Sequence, residues 1–435
     1  MSKRELFGES SSSQERARFP AGRVRVQRVE RRQLELRPTC LEDLLPEEHR
    51  ARVLWDAVEE LDLSVFYADV ASREGSAGRP AIDPKILVAL WLYATSEGVG
   101  SARELARLCE MHDAYRWLCG GVSVNYHTLS DFRVSQERAL DELMTQILGL
   151  LMQEGIVRLR RVAQDGTKVR ASAGAASFRR QRSLKECLRQ AREQVREAKR
   201  QLNSAGGSVT KRMKAARVRV AEDRRNRVKN ALRHVNDLRR IKLDEERKAA
   251  TRASTTDPEC RVMKMSDGGF RPAYNLQFAT DVEARVIVGV QVTNKGSDVA
   301  ELEPMLAEIG RRTEHLPQEH LVDGGYVKLE SIERAAECGV KIYAPAQAAR
   351  RKDIDATKAK KDDGPGVVAW RRRMGSERAL EIYKDRGATA ERTNADLKTW
   401  RGLDSLPVRG LGKVLCLALW SALAFNLMRW VECTT

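Results

Sequence analysis

Residues 179–252 are helical sequence set inside β sequence, and that interruption limits what the chain can fold into. On one side, Ile156-Val157 and Val162-Ala163 flank basic residues, and the run closes on Asp165-Gly166-Thr167-Lys168-Val169. That is a strand pattern with Asp165 at its end and Gly166 permitting a turn. On the other side, Ala273–Thr280 and Val286–Thr293 are two further strand-like runs. Between them Leu184, Leu188, Ala191, Val195, Ala198 and Leu202 recur at intervals of four and three, the seam of a short coiled coil. Gly206-Gly207 breaks it. A second helix is expected from about Val209 to Ala250, with Val228, Ala231, Val235 and Leu238 on a weaker stripe. The helices are therefore expected to leave the sheet as an antiparallel hairpin and return to it. Charge marks the same boundary: of a formal net charge of +17, residues 179–252 hold 25 Lys/Arg against 9 Asp/Glu, a net of +16. The rest of the chain is nearly neutral. An excess this basic favours a polyanionic partner, nucleic acid above all, although a solvated spacer carries the same signature.

What precedes the first strand is helical. Residues 1–38 read as a disordered basic tail, with Ser10–Ser13 in a row and ten Lys/Arg against five Asp/Glu. No apolar signal region is present in it. Residues 39–154 read as an all-helical domain. Asp83-Pro84 supplies an N-cap and a first-turn proline ahead of Ile86, Leu87, Leu90, Trp91 and Tyr93, and Ser101-Ala-Arg-Glu104 restarts a helix as a capping box. The eight cysteines form no Cys-x-x-Cys pair, which suits reduced thiols in a cytosol. Cys109, His112, Cys119 and His127 fit no zinc spacing and read as structural. The apolar run from Leu411 to Val431 contains Lys413, Asn426 and Arg429, so a buried helix is expected rather than a membrane span.

Downstream of the third strand the pattern becomes helix (about Asp298 to Arg312), strand (His320–Asp323), helix to Glu337 and strand (Gly339–Tyr343). The sum is α/β: a mixed-sheet domain over 155–435, interrupted by the basic hairpin and preceded by the helical domain. Functional groups in open sheets gather at the carboxyl ends of strands. If the first and fourth strands are parallel neighbours, Asp165 and Asp323 meet at one edge of the sheet. Paired carboxylates without a His or Cys companion suit Mg²⁺ or Mn²⁺, and a two-ion site performs phosphoryl transfer. A third acid is available on a helix: Glu391 lies seven residues, two helical turns, before Lys398.

These residues carry a resemblance. Gly78-Arg-Pro-Ala-Ile-Asp-Pro-Lys-Ile-Leu87, Thr128-Leu-Ser-Asp-Phe-Arg133, Asp165-Gly-Thr-Lys168, Gly269-Phe-Arg-Pro-Ala-Tyr274, Asp323-Gly-Gly-Tyr326 and Glu391-Arg-Thr-Asn394 follow one another in the order seen in DDE transposases of bacterial insertion sequences. The chain resembles the group whose last acid lies in a Tyr-Arg-Glu-Lys signature. The resemblance implies an RNase H-like catalytic domain with two Mg²⁺ or Mn²⁺ ions held by Asp165, Asp323 and Glu391. It implies that Tyr383, Arg386 and Lys398 hold transposon-end DNA or flank the metals. It further implies that the protein binds terminal inverted repeats and target DNA, acts as a homodimer on DNA, and is cytoplasmic and nucleoid-associated with no membrane. One departure stands out: four residues, Gly387–Ala390, separate Arg386 from Glu391, where the family has three. A catalytically inactive, transposase-derived DNA-binding protein is the alternative. An architectural role for the hairpin is a further one, and it leaves Asp165 and Asp323 unexplained.

Overall fold

β1 (Arg161–Arg170) is the strand from which the sheet is built. The protein is seen in a computed structural model that describes residues 40–434 apart from 69, 74, 76–79, 205–207 and 347–354. The tail expected at 1–38 and the break at Gly206-Gly207 lie outside the described residues. β2 (Phe178–Arg180), β3 (Arg252–Ser254), β4 (Arg261–Lys264) and β5 (Phe270–Asp281) follow in the chain. β6 (Ile287–Thr293), β7 (Glu319–Leu321) and β8 (Lys341–Tyr343) complete the strands. β5 runs antiparallel beside β1, from Val162 opposite Asp281 to Arg170 opposite Ala273, and carries β6 and β4 on its outer edge. On its other side β1 lies parallel to β7, and β7 lies parallel to β8. The order is thus β6–β5–β1–β7–β8, mixed as expected, with the antiparallel strands first and the parallel ones after. β5 is buried at nearly every position, as a central strand covered on both faces should be.

Two sequence expectations need correction here. Asp165 does not end its strand; it is the fifth residue of ten. The strand continues because β5 supplies partners as far as Arg170, whereas β7 pairs only with 161–163. Asp165 therefore stands just beyond the end of β7 rather than at the end of β1. The helix expected from Asp298 begins instead at Leu302, after a turn in which Ala300 has a positive φ of 71°.

The helical hairpin is present. One helix spans Gln181–Asn203 and the other Ser208–Ile241. Leu184 and Leu188 pack with Val228, Ala231 and Val235 in one apolar cluster, and Ala191 and Val195 are buried on the same helix. Pairing of Gln181 with Asn236, Gln194 with Arg224 and Lys199 with Glu222 makes the two antiparallel. The second helix does not reach Ala250: it stops at Ile241, and Asp244 caps a separate short helix over Glu245–Ala250 by accepting from the Glu246 N–H. At the hairpin's base β2 and β3 form an antiparallel ribbon, Phe178 opposite Ser254 and Arg180 opposite Arg252. The ribbon brings the two ends of the insertion together, so the helices leave and rejoin the sheet at one point.

Among the described residues, seven α-helices precede β1. Two of them begin as the sequence suggests, Asp83 accepting from the Lys85 N–H ahead of Pro84–Ser96 and Ser101 from the Glu104 N–H ahead of Ala102–Met111; Asn125 likewise accepts from the Thr128 N–H ahead of Tyr126–Ser135. His112 caps the next helix through Nδ1 while His127 stacks on Tyr126, and among the described residues these cysteines and histidines form no group of three that could hold a metal. The last helix, Leu411–Thr434, is long and apolar enough to cross a membrane, but most of it lies in the core. Its Trp420, Leu423 and Leu427 join Trp91, Leu129, Leu140 and Ile147 of the early helices and Phe278 of β5 in one apolar cluster. Each such side chain contributes about 1.5–3 kcal/mol on burial, so this helix ties the early helices to the sheet. Its buried Asn426 donates to the Ile287 carbonyl and accepts from the Ile287 N–H, both at 2.8 Å, where β6 shifts register against β5.

His320 on β7 gives the sheet a pH signature. It is fully buried, its Nε2 donates to Gln164 Oε1 at 2.9 Å, and burial holds its pKa down at about 3. Because the folded pKa lies below the unfolded value of about 6.5, this group's stability contribution is complete above that value and is lost as pH falls towards 3. Equilibrium urea unfolding is expected to show stability falling by up to ~1.4 kcal/mol per pH unit below 6 from this one residue. His320→Gln should flatten the curve between pH 4 and 6; an unchanged slope refutes the assignment.

Candidate active site

Three carboxylates meet around one guanidinium. Carrying the β1–β7 register (Ala163 opposite Leu321) two residues further sets Asp165 level with Asp323, which does not end its strand as the sequence suggests but lies two residues past β7 and caps the 3₁₀ turn Gly324–Tyr326 by accepting from the Gly325 N–H. The third comes from a helix that crosses β1. Helix α1 (Glu377–Arg386) passes into a π-helical turn, Gly387–Glu391, and then into helix α2 (Arg392–Thr399). Arg386 Nη2 lies 3.0 Å from Asp165 Oδ1 and 3.9 Å from Asp323 Oδ2, and its Nη1 lies 3.3 Å from Glu391 Oε1. Arg161 at the start of β1 grips both Glu319 of β7 and Asp385 of α1, which fixes the crossing.

The π turn explains the extra residue in the signature. At 3.6 residues per turn, positions five apart face different ways on an α-helix. The i→i+5 repeat of a π turn brings them one above the other. Arg386 and Glu391 are such a pair, and the one extra residue within Gly387–Ala390 is absorbed in the widened turn. Beyond it the regular helix resumes, with Lys398 half-buried and close enough to Asp165 to feel its charge. Tyr383 is half-buried one turn before Arg386 and senses the same acids.

The acids differ in setting. Asp165 has a side chain only 20% exposed; Asp323 and Glu391 are 59% and 66% exposed. Burial pushes the Asp165 carboxyl up, while Arg386, the Gly166 N–H and the Asn394 amide pull it back. Asn394 Nδ2 donates to Asp165 Oδ2 at 3.0 Å, so both oxygens of Asp165 are engaged. Burial also lowers the Lys398 ammonium, against the pull of Asp165. Burial opposes the charge of Arg386, but Asp165, Tyr383, Asp323 and Glu391 together raise its pKa above the usual value.

Beneath Asp165 lies a buried polar layer that the sequence did not reveal. Asn275 and Gln277 of β5 both donate to Asp298 Oδ1 at 2.7 Å. Gln277 Oε1 accepts from Tyr326 Oη and from Gln164 Nε2, the latter at 3.1 Å. The available signal was the pair of amides at alternate positions in an otherwise apolar strand. Gly166 makes room for the layer: a Cβ there would collide with Gln277 Nε2 and Asp298 Oδ1. Gly166 is therefore a close-approach glycine within the strand and not a turn. Gly166→Ala is expected to lower the melting temperature by several degrees, the effect of about 1–3 kcal/mol of overpacking, and an unshifted thermal melt counts against this reading.

Among the described residues no three His, Cys, Asp or Glu side chains stand ready to hold an ion by themselves, because Arg386 occupies the space between the acids. The donors nevertheless suit a hard divalent cation. They are all oxygens, three carboxylates exceed the charge of one arginine, and the buried Asn394 Oδ1 beside Asp165 has no donor.

Comparison with protein families agrees with the fold. Residues 39–135 match a model described as a transposase domain (DUF772), and residues 235–427 match one described as a transposase DDE domain. The chain belongs to the DDE transposases, with the helical transposase domain ahead of the DDE domain. The second match spans Asp323, Arg386 and Glu391, and β1 with Asp165 lies upstream of it, across the hairpin. No curated protein and no solved structure matches the chain.

Proposed function

We propose that this transposase serves a bacterial insertion sequence: it binds the element's terminal inverted repeats, cuts the strand at each end and joins the freed end to target DNA. The observation that carries the reading is the convergence of Asp165, Asp323 and Glu391 on the Arg386 guanidinium, from β1, the turn that follows β7 and one crossing helix. The strand order β6–β5–β1–β7–β8 supports an RNase H-like catalytic domain.

Asp165, Asp323 and Glu391 would hold the Mg²⁺ or Mn²⁺ ions. Bound there, divalent ions supply activation of the attacking oxygen and stabilisation of the leaving one. The chain's own groups do the rest. Arg386, once turned from the acids, and Lys398 present cationic donors to the phosphate under attack, and Tyr383 offers a hydroxyl beside them. Water adds to phosphorus, the bond to the 3′ oxygen breaks, and that oxygen leaves as the hydroxyl that later attacks a target phosphodiester. The hairpin, with a net charge of +16, supplies grip on the duplex that is independent of sequence. A homodimer on DNA and residence at the cytoplasmic nucleoid complete the proposal.

The test is strand cleavage by the full-length protein on supercoiled DNA carrying the element's ends. Nicking at the ends with Mg²⁺ or Mn²⁺, and none with chelator, is expected. Binding to the ends without cleavage under either metal would favour the inactive, DNA-binding alternative.

A further inference from the structure

Arg133 is a buried cation without an anion. Three arginines among the described residues are more than nine-tenths buried. Arg312 is paired with Asp141 and Glu308, and Arg371 with Asp363. Arg133, 6% exposed, has no carboxylate within 4 Å among the described residues. Its guanidinium lies 4.6 Å over the Trp91 ring, Nη1 donates to the Gly100 carbonyl, and Nε has no partner. Burial lowers its pKa only to about 10, so it is charged at neutral pH.

This side chain lines an open cavity of about 540 Å³ between the early helices and the loop after α2. Ser101, Arg103, Tyr126, His127, Ser130 and Ser405 form its walls. Ser101 caps the ten-residue helix Ala102–Met111, whose leading N–H groups have no partner within the helix and favour an anion. Arg103 sits on the rim over the Tyr126 ring at 5.3 Å, and Tyr126 stacks on His127. The acid at this cavity, Asp404, is exposed and accepts from Ser405 Oγ, so it does not neutralise Arg133.

We propose that this cavity is a phosphate site for one phosphodiester of the DNA that the protein acts on, with Arg133 at its floor, the Ser101-capped helix end at its wall and Arg103 at its rim. The proposal rests on the transposase reading and adds a contact outside the cluster of acids. Geometry favours DNA over a free anion. Ser405 bridges Arg170 at the end of β1, and the Leu406 N–H donates to the Arg170 carbonyl at 3.0 Å. Arg170 is five residues from Asp165, about 17 Å along an extended strand, which matches roughly five base pairs of rise. One duplex lying at the acids thus reaches the cavity with a neighbouring stretch of backbone.

The experiment measures affinity of the full chain for a fluorescent DNA duplex without divalent metal, from about 50 to 200 mM salt. Wild type, Arg133→Gln, Arg133→Lys and the exposed rim variant Arg103→Gln are compared, with thermal melts as fold controls. Loss of one phosphate contact lowers the slope of log affinity against log salt by about 1 and weakens binding across sequences. That is expected for Arg133→Gln and for Arg103→Gln, while Arg133→Lys keeps the slope. If Arg133→Gln does not fold, Arg103→Gln decides. Unchanged slopes with normal wild-type binding overturn the site but not the transposase reading; a wild type that does not bind duplex overturns both. Inorganic phosphate raising the wild-type melting temperature while both variants bind duplex as wild type does marks a small-anion pocket, and that also overturns the proposal.

Discussion

Asp165→Asn is expected to remove metal-dependent strand cleavage by at least about a thousandfold while leaving the fold and duplex binding close to wild type. The direction follows from the position of this acid. It is the most buried of the three, and it alone touches both Arg386 and Asn394. Asparagine has the same shape. Its oxygen can still accept from Arg386, and once the Asn394 amide flips, its own amide can donate to the Asn394 oxygen that now lacks a donor. What it cannot supply is the negative charge that, with Asp323 and Glu391, exceeds the charge of the arginine. A neutral side chain at the centre of the cluster leaves two exposed acids against one arginine, too little charge to draw divalent ions into the site. Nicking of end-bearing plasmid with Mg²⁺, set beside duplex affinity and a thermal melt, separates loss of chemistry from loss of fold. Substantial residual nicking by the variant would sink the assignment of Asp165.

Much of this site was visible in the order of strands. Asp165 and Asp323 were expected to meet if their strands were parallel neighbours, and the β1–β7 pairing makes them so. The hairpin was visible because a coiled-coil seam and a block of positive charge coincide in residues 179–252. What stayed hidden depends on partners distant in sequence. That Asp165 sits mid-strand follows from the unequal lengths of β5 and β7, which no local pattern encodes. Asp298 looked like a helix start; its approach to Gly166 depends on the absence of a Cβ on another strand. The ribbon of β2 and β3 is three residues on each side, too short for alternation to show. The extra residue between Arg386 and Glu391 looked like a break in the signature, and only the π turn shows that both residues still face one way. Arg133 was part of a motif, but a missing counter-ion is a property of the whole surrounding shell.

The guanidinium of Arg386 stands in for the cation that the three acids would otherwise require, and its removal should make the protein depend on one. In Arg386→Gln the acids face each other with no positive partner in contact. Breaking a buried pair by removing one member costs about 3–5 kcal/mol, but only the contact with Asp165 is largely buried. Asp323 and Glu391 are more than half exposed, and solvent screens their share to about 0–1 kcal/mol. A loss of about 3 kcal/mol without divalent metal, the low end because Asp165 keeps the Asn394 amide as a partner, is therefore expected, seen as a melting temperature several degrees below wild type. Mg²⁺ at a hundred times its dissociation constant restores about 2.7 kcal/mol, which offsets that loss. In the wild type the same ion must first displace the arginine, so Mg²⁺ should raise its melting temperature less. The observable is the difference between the two Mg²⁺-induced shifts, measured without DNA. A larger shift for Arg386→Gln supports an arginine that competes with the metal for the acids. Equal shifts, or a variant whose melt ignores Mg²⁺, would mean that the guanidinium and the ion do not share that space.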